Sequence, residues 1–194
     1  MAKPLVVIFA RAPRYGAIKT RLARDIGAGE TLRFYRKALG DLVQRLQRDV
    51  RFDVELAVTP DYVRDCWPTI RVIAQGRGDL GRRMVRALRG AGSRPAIVIG
   101  SDIPEIAAAH VASAFRALGK APFVLGPAHD GGYWLIGARH PHRMRASVLD
   151  GVRWSGAHTM QDTIDRLGEV AVLNSVLEDI DDGAAYRRYQ SRRA

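Results

Sequence analysis

Apolar positions along the chain fall into two alternating rhythms. Short, nearly continuous runs rich in β-branched residues occur at Leu5 to Ala10, Phe52 to Thr59, Thr69 to Ala74, Pro95 to Gly100 and Phe123 to Gly126. Runs of this length and composition read as strands buried on both faces of a parallel sheet. Between them the spacing lengthens to three and four. Leu32, Tyr35, Leu39, Leu42 and Leu46 mark one face of a helix over Glu30 to Arg48, with the period an amphipathic helix requires. Leu80, Met84, Val85 and Leu88 mark a second helix after Asp79, and Ile106, Val111, Phe115 and Leu118 a third after Pro104. Strand and helix in alternation predict a three-layer α/β/α fold with right-handed crossovers.

The rhythm changes after Gly126. Pro127 to Gly132 is rich in turn residues, and the short strand expected at Tyr133 to Gly137 follows too soon for a crossover helix. A parallel connection needs about a dozen residues, so this strand is expected to run antiparallel within a mostly parallel, mixed sheet. Ser155 to Leu167 then reads as a helix, Ala171 to Leu173 as a last strand and Ala184 to Gln190 as a terminal helix. With no Pro/Ser-rich linker and no repeat, one domain over residues 1–194 is the expectation.

Composition narrows the class. With 47% hydrophobic residues the chain has material for a substantial core. No apolar run approaches the roughly 18 residues of a membrane span. Met1 to Ala10 lacks the cleavage site of a signal peptide, and a cytoplasmic location is expected. The lone cysteine, Cys66, excludes an internal disulfide or a cysteine-based zinc site and reads as a packed thiol. The net charge of +11 is carried almost wholly by arginine, with Lys3, Lys19, Lys37 and Lys120 the only lysines. A positive field of this kind draws anionic ligands into a cleft. Its distribution is uneven: residues 1–50 hold eleven basic and four acidic side chains, whereas Glu178, Asp179, Asp181 and Asp182 concentrate acid near the end.

In open α/β sheets ligands bind beyond the carboxyl ends of the strands, so loops that directly follow strands are the places to search. The first is Arg11 to Leu22, with Arg11, Arg14, Lys19 and Arg21, no acid, and Gly16 to let a ligand approach the backbone. Its charge suits a polyphosphate. It is not a Walker A loop, because Ile18 stands where the glycine before Lys19 should be. The second is Gly100-Ser101-Asp102-Ile103-Pro104. A carboxylate at a strand tip facing a basic loop could hold Mg²⁺ between protein oxygens and phosphates. Alternatively Ser101 or Asp102 caps a helix beginning near Pro104. Asp179-Ile180-Asp181-Asp182 could complete the metal site or merely begin the last helix. The third is His129 to Trp134, where Asp130, Gly131 and Gly132 form either a simple turn or an acceptor site.

Other signals weigh less. Gly76 to Gly81 fits the dinucleotide pattern G-x-G-x-x-G, but it comes third among the strand ends, and Asp79 would place a carboxylate beside a pyrophosphate. The glycines, with Gly78 and Asp79 as candidate nucleotide-site residues, are therefore read as shaping a loop whose arginines, Arg77, Arg82 and Arg83, face either the nucleotide or the surface. The five histidines show no metal-ligand spacing, and no serine sits in a G-x-S-x-G elbow. An RNA-binding module would want basic residues interleaved with aromatics, which make up only 7% of the chain. That composition speaks against nucleic acid as the partner.

The ordered set FARAPRYGAIKTRL, QGRGDLGRRM, GSDIPEI, LGPAHDGGYWLIG and DIDD, spanning about Leu5 to Tyr186, resembles the bacterial family called radical-SAM/selenodomain-associated transferase 1. The Lys19 to Leu22 stretch and its following helix also look like 2-phospholactate guanylyltransferase. The resemblance implies a nucleotide-diphospho-sugar transferase fold of the glycosyltransferase-A type. It implies Lys19 and Arg21 on nucleotide phosphates, with Arg11, Gly16, Thr20 and Ser101 nearby, and Mg²⁺ or Mn²⁺ on Asp102 with Asp181 as second ligand. Where related sequences often read D-x-D-T-P-E-D, this chain has Asp179-Ile180-Asp181-Asp182-Gly183-Ala184-Ala185. Glycosyl transfer from a nucleotide-sugar to a small-molecule acceptor, with Asp130 as candidate base, is the expectation; nucleotidyl transfer with release of pyrophosphate is the alternative. Both depend on preplaced cations, so the sequence leaves them open.

Overall fold

A computed structural model describes residues 2–61 and 69–192; Cys66 lies outside the described residues. Seven strands form one sheet: β1 (Leu5–Arg11), β2 (Asp53–Thr59), β3 (Arg71–Ala74), β4 (Ala96–Gly100), β5 (Phe123–Pro127), β6 (Tyr133–Ala138) and β7 (Val170–Val172). Their order is β3-β2-β1-β4-β6-β5-β7. β6 runs antiparallel to both β4 and β5, and all other pairs are parallel. The mixed α/β sheet expected from the change of rhythm after Gly126 is therefore present, with the odd strand inside it.

Among the described residues six α-helices accompany these strands: α1 (Thr20–Ile26), α2 (Ala28–Gln47), α3 (Leu80–Gly90), α4 (Ala108–Leu118), α5 (Thr159–Leu167) and, after the last strand, α6 (Gly183–Ser191). Side chains of β1 alternate between two cores. Val6 and Ile8 join Leu39, Leu42 and Leu46 of α2 and Val111 and Leu118 of α4. Leu5 and Val7 join Met84 and Leu88 of α3 and Leu167 of α5. Period-two alternation in strands with both faces covered gives the three layers.

Three elements differ from the sequence expectation. Thr20, Arg21 and Leu22 belong to a helix rather than to the loop that precedes it. The helix expected after Pro104 begins only at Ala108, although Ile103 and Ile106 are buried in the turn before it. The helix expected from Ser155 starts at Thr159. The order of the sheet reverses direction beside β1, whose neighbours are β2 on one side and β4 on the other. That switch point, at the carboxyl ends of β1 and β4, is where an open α/β sheet leaves a crevice.

Candidate functional site

The loop after β1 reaches the crevice because its two ends are anchored. Ile18 and Leu22 are buried on either side of Lys19. Lys19 itself takes a left-handed conformation, φ 42° and ψ 56°, at the N-cap of α1. Such a backbone is uncommon outside glycine. It turns the side chain inward, where only 5% of it is exposed, and places Nζ 2.8 Å from Asp181 Oδ1 and 3.2 Å from Asp102 Oδ1. The burial of Ile18 also accounts for the failure of the Walker pattern, since this position is a core anchor and not a phosphate cradle.

Asp102 lies just past β4, and the helix it could have capped starts at Ala108 with Ala107 as its N-cap. Its carboxylate is thus free of a capping role. Asp181 is brought to it by a backbone bond from Ile180 N–H to the Asp102 carbonyl, 3.1 Å. Ile180 is buried with Leu22, Ala185 and Tyr189, and the acidic run divides around it. Asp182 turns away to cap α6, accepting from Ala185 N–H at 2.8 Å, while Asp179 and Asp181 face Lys19. Burial opposes the charge of Lys19, yet Asp102 and Asp181 outweigh it and hold the ammonium above its ordinary pKa. Burial, reinforced by Asp181 and then Asp130, pushes the Asp179 carboxyl up to about 6. Asp181 feels the same burial, but Lys19 outweighs it and keeps that carboxyl below its ordinary value.

Two residues that the sequence did not single out complete the frame. Tyr35 of α2 is 2% exposed. Its hydroxyl accepts from Arg11 N–H at 3.0 Å and lies 3.2 Å from Ser101 Oγ, which ties the ends of β1 and β4 together. Gln75, buried after β3, donates to the carbonyls of Ala10 (3.1 Å) and Ala57 (2.9 Å) and accepts from Arg83 Nη1 at 2.6 Å. Arg83 is thereby fixed against the cleft wall. In sequence, Tyr35 looks like any apolar helix position; only Gln75, a polar residue closing an apolar strand, carries a signal.

These groups line a cleft of about 720 Å³, within the range of small-molecule sites. Of the sequence candidates, Arg11, Lys19, Thr20, Arg21, Ser101, Asp102, Asp130, Gly132 and Asp181 line it; Gly16, Gly78, Asp79 and Gly131 do not. The Asp79 carboxylate is a helix cap, accepting from Arg82 N–H at 2.8 Å. Gly131 packs against the backbone of Ala157, which would lie 2.6 Å from a Cβ there. The dinucleotide-like loop is filled by Arg86, which donates to the carbonyls of Gln75 and Arg77, each at 2.9 Å.

Among the described residues no group of three His, Cys, Asp or Glu side chains forms a ready metal cage. Two carboxylates that converge on one cation are a different donor set. It suits Mg²⁺, which keeps waters and takes substrate phosphates beside one or two carboxylates. Among the described residues, no helix is long and apolar enough to cross a membrane.

A model of the family described as "Uncharacterized protein conserved in bacteria (DUF2064)" matches residues 42–156, a span that carries Asp102 and Asp130. No curated protein matches the sequence. Among solved structures, the chain is similar to a protein from Desulfovibrio desulfuricans G20 provisionally assigned as a nucleotide-diphospho-sugar transferase. The TM-score is 0.84 at 30% identity, over 94% of this chain and 84% of that one. It shares its fold with 4-diphosphocytidyl-2C-methyl-D-erythritol synthase from Anaerococcus prevotii, with TM-score 0.63, 12% identity and 98% coverage of both chains. A Mycobacterium tuberculosis protein in complex with manganese also has this fold, with TM-score 0.57, 15% identity and coverage of 96% and 97%.

Proposed function

The chain belongs to the DUF2064 family, and from that premise we propose that it is a metal-dependent transferase that takes a glycosyl group from a nucleotide-sugar. The observation that carries this reading is the meeting of Lys19, Asp102 and Asp181 at the switch point of the sheet, on a cleft that Arg11, Arg21 and Arg83 also line. A nucleoside diphosphate has the charge to fit that wall. The provisional assignment of the Desulfovibrio protein and the motif resemblance to transferase 1 proteins support the same reading.

Asp102 and Asp181 would hold Mg²⁺ or Mn²⁺, which when bound supplies positive charge to the diphosphate of the departing nucleoside diphosphate. Lys19, Arg11 and Arg21 bind the phosphates and offset the charge that grows on them as the glycosyl bond breaks. Asp130 lines the same cleft. Its Oδ1 accepts from Gly132 N–H at 2.9 Å, which leaves Oδ2 to orient an acceptor hydroxyl and take its proton. A second reading, nucleotidyl transfer, is favoured by the fold shared with the Anaerococcus enzyme; there the same cations bind a triphosphate.

Thermal unfolding with a panel of nucleoside diphosphates, triphosphates and nucleotide-sugars, with and without Mg²⁺ or Mn²⁺, tests both. A ligand at 100 times its Kd adds about 2.7 kcal/mol. Stabilisation by diphosphates and their sugars supports glycosyl transfer, and stabilisation by triphosphates alone supports nucleotidyl transfer. Asp102→Ala is expected to remove the metal-dependent part of the shift. No shift with any nucleotide, metal present, overturns the proposal.

A further inference from the structure

The cations that line the cleft come from one part of the chain: Arg11, Lys19, Arg21 and Arg83 belong to β1, α1 with its N-cap, and α3. Another stretch of the cleft wall comes from the turn between β5 and β6 and from the segment leading into α5, and it presents Asp130, Tyr133, Trp154, Ser155 and Thr159. Among the described residues, that stretch contributes no Lys or Arg to the lining.

Trp154 is seated by a glycine. A Cβ on Gly81 of α3 would lie 2.6 Å from Trp154 Cζ2 and 3.0 Å from Leu149 Cβ. The third glycine of the dinucleotide-like pattern therefore serves to let the indole lie against the helix while still bordering the cleft. Its neighbour Ser155 has φ +62°. Among the described residues only Lys19 and Ser155 are non-glycine positions with positive φ, and both line this cleft. Strain of this kind persists where surrounding structure enforces it and gathers at ligand sites. Neither the Trp154 indole N–H nor the Ser155 hydroxyl has a hydrogen-bond partner among the described residues, so both are available to a bound molecule. Trp134 makes the contrast: its N–H is committed to the Ser175 carbonyl at 3.0 Å and its ring is core.

We infer that this wall binds an uncharged ring that carries hydroxyl groups, a sugar or a cyclic polyol, laid on Trp154 with its hydroxyls toward Asp130 Oδ2 and Ser155 Oγ. An aromatic face takes the C–H side of such a ring, and a carboxylate with a hydroxyl beside it takes the polar edge. A phosphorylated or carboxylated ligand on this stretch would meet Asp130, and no Lys or Arg of residues 128–159 lines the cleft to offset it. The inference rests on the nucleotide reading, which assigns the cationic part to phosphates. The ring is either the sugar of the donor or the acceptor.

The test is saturation-transfer NMR on the full chain with the cationic part filled by saturating UDP, GDP or CDP and Mg²⁺. Glucose, mannose and myo-inositol are the neutral probes, with glucose 1-phosphate and glucose 6-phosphate as charged counterparts. The expected result is that neutral rings bind at least as well as their phosphates. Trp154→Ala then weakens them about tenfold, in line with loss of one aromatic contact, while the nucleoside diphosphate still raises the melting temperature. Ser155→Gly suits the observed φ, keeps the fold, and is expected to weaken the rings about threefold. Loss of free-sugar binding in Trp154→Ala identifies the ring as the acceptor. Loss instead of the advantage of UDP-glucose over UDP identifies it as the donor sugar. Tighter binding of the phosphorylated probes, or neutral-ring binding and the advantage of UDP-glucose over UDP both unchanged in both variants, overturns the inference. A nucleoside diphosphate that gives no melting shift is a failure of the nucleotide reading, and the neutral probes then decide this one on the nucleotide-free protein.

Discussion

Lys19 shows how one residue can serve the fold and the site together. Its ammonium lies between Asp102 and Asp181, which would repel each other across the crevice without it. The same ammonium lines the cleft that a phosphate would enter. Lys19→Met is expected to lower nucleotide affinity by the worth of one charge-assisted contact, about 1.5–3 kcal/mol or roughly 10–150-fold by titration calorimetry. Tyr35 acts on the frame instead. Tyr35→Phe removes the partner of the Arg11 amide and is expected to cost about 1–3 kcal/mol in denaturant unfolding. The phenol is pushed up to about 12, first by burial and then by the charge of Asp102. Because its folded pKa lies above the ordinary 10.0, its contribution to stability is whole below about pH 10 and lost as pH rises toward 12. The difference between wild-type and Tyr35→Phe stability is therefore expected to be flat up to about pH 10 and to shrink above it. Sequence could name Lys19, which sits in a basic loop after a strand; it could not name Tyr35, whose hydroxyl is invisible to apolar periodicity.

Elements succeeded or failed as sequence signals according to how local their stabilisation is. α2 spans 20 residues with seven buried positions on one face, and its period could be read directly. α1 has only seven residues and one fully buried position, Leu22. It is held by contacts that arrive from far along the chain, such as Asp25 Oδ2 accepting from Gly183 N–H at 2.7 Å. No local window contains that information. The turn from Ile103 to Ala107 deceived in the other sense, since buried isoleucines at helical spacing lie outside the helix. Two helix glycines separate propensity from packing. A Cβ added at Gly40 in α2 would meet nothing within 4 Å, whereas one at Gly81 in α3 would run into Trp154. Gly40→Ala is expected to stabilise by about 0.5–1 kcal/mol. Gly81→Ala gains the same propensity but must displace the indole, and a net loss of about 1–2 kcal/mol is expected from overpacking. Thermal melts of the two variants side by side check both signs.

At the scale of the whole molecule, the sheet order was only partly legible. Alternating runs announced a parallel α/β sheet, and the missing crossover announced its antiparallel strand. That β6 enters between β4 and β5, and that Asp181 returns to Lys19 across 162 residues, are properties of topology that composition does not encode. The same distinction applies to charge. Several arginines are held in surface ion pairs, such as Arg33 with Glu30, Arg82 with Asp150 and Arg153 with Asp162. Exposed pairs of this sort contribute little to stability, and they blunt the surface as an electrostatic platform. The cleft instead gathers Arg11, Lys19, Arg21 and Arg83. Nucleotide affinity is therefore expected to fall by less than about tenfold between roughly 50 and 200 mM salt, because only a few contacts are screened. A nucleic acid gripped by about 6–10 phosphate contacts would lose about 10³–10⁵ over the same range. Titration of a nucleoside diphosphate and of tRNA at the two salt concentrations separates the cases. A steep slope for tRNA together with indifference to the nucleotide would move the function from the cleft to the arginine surface.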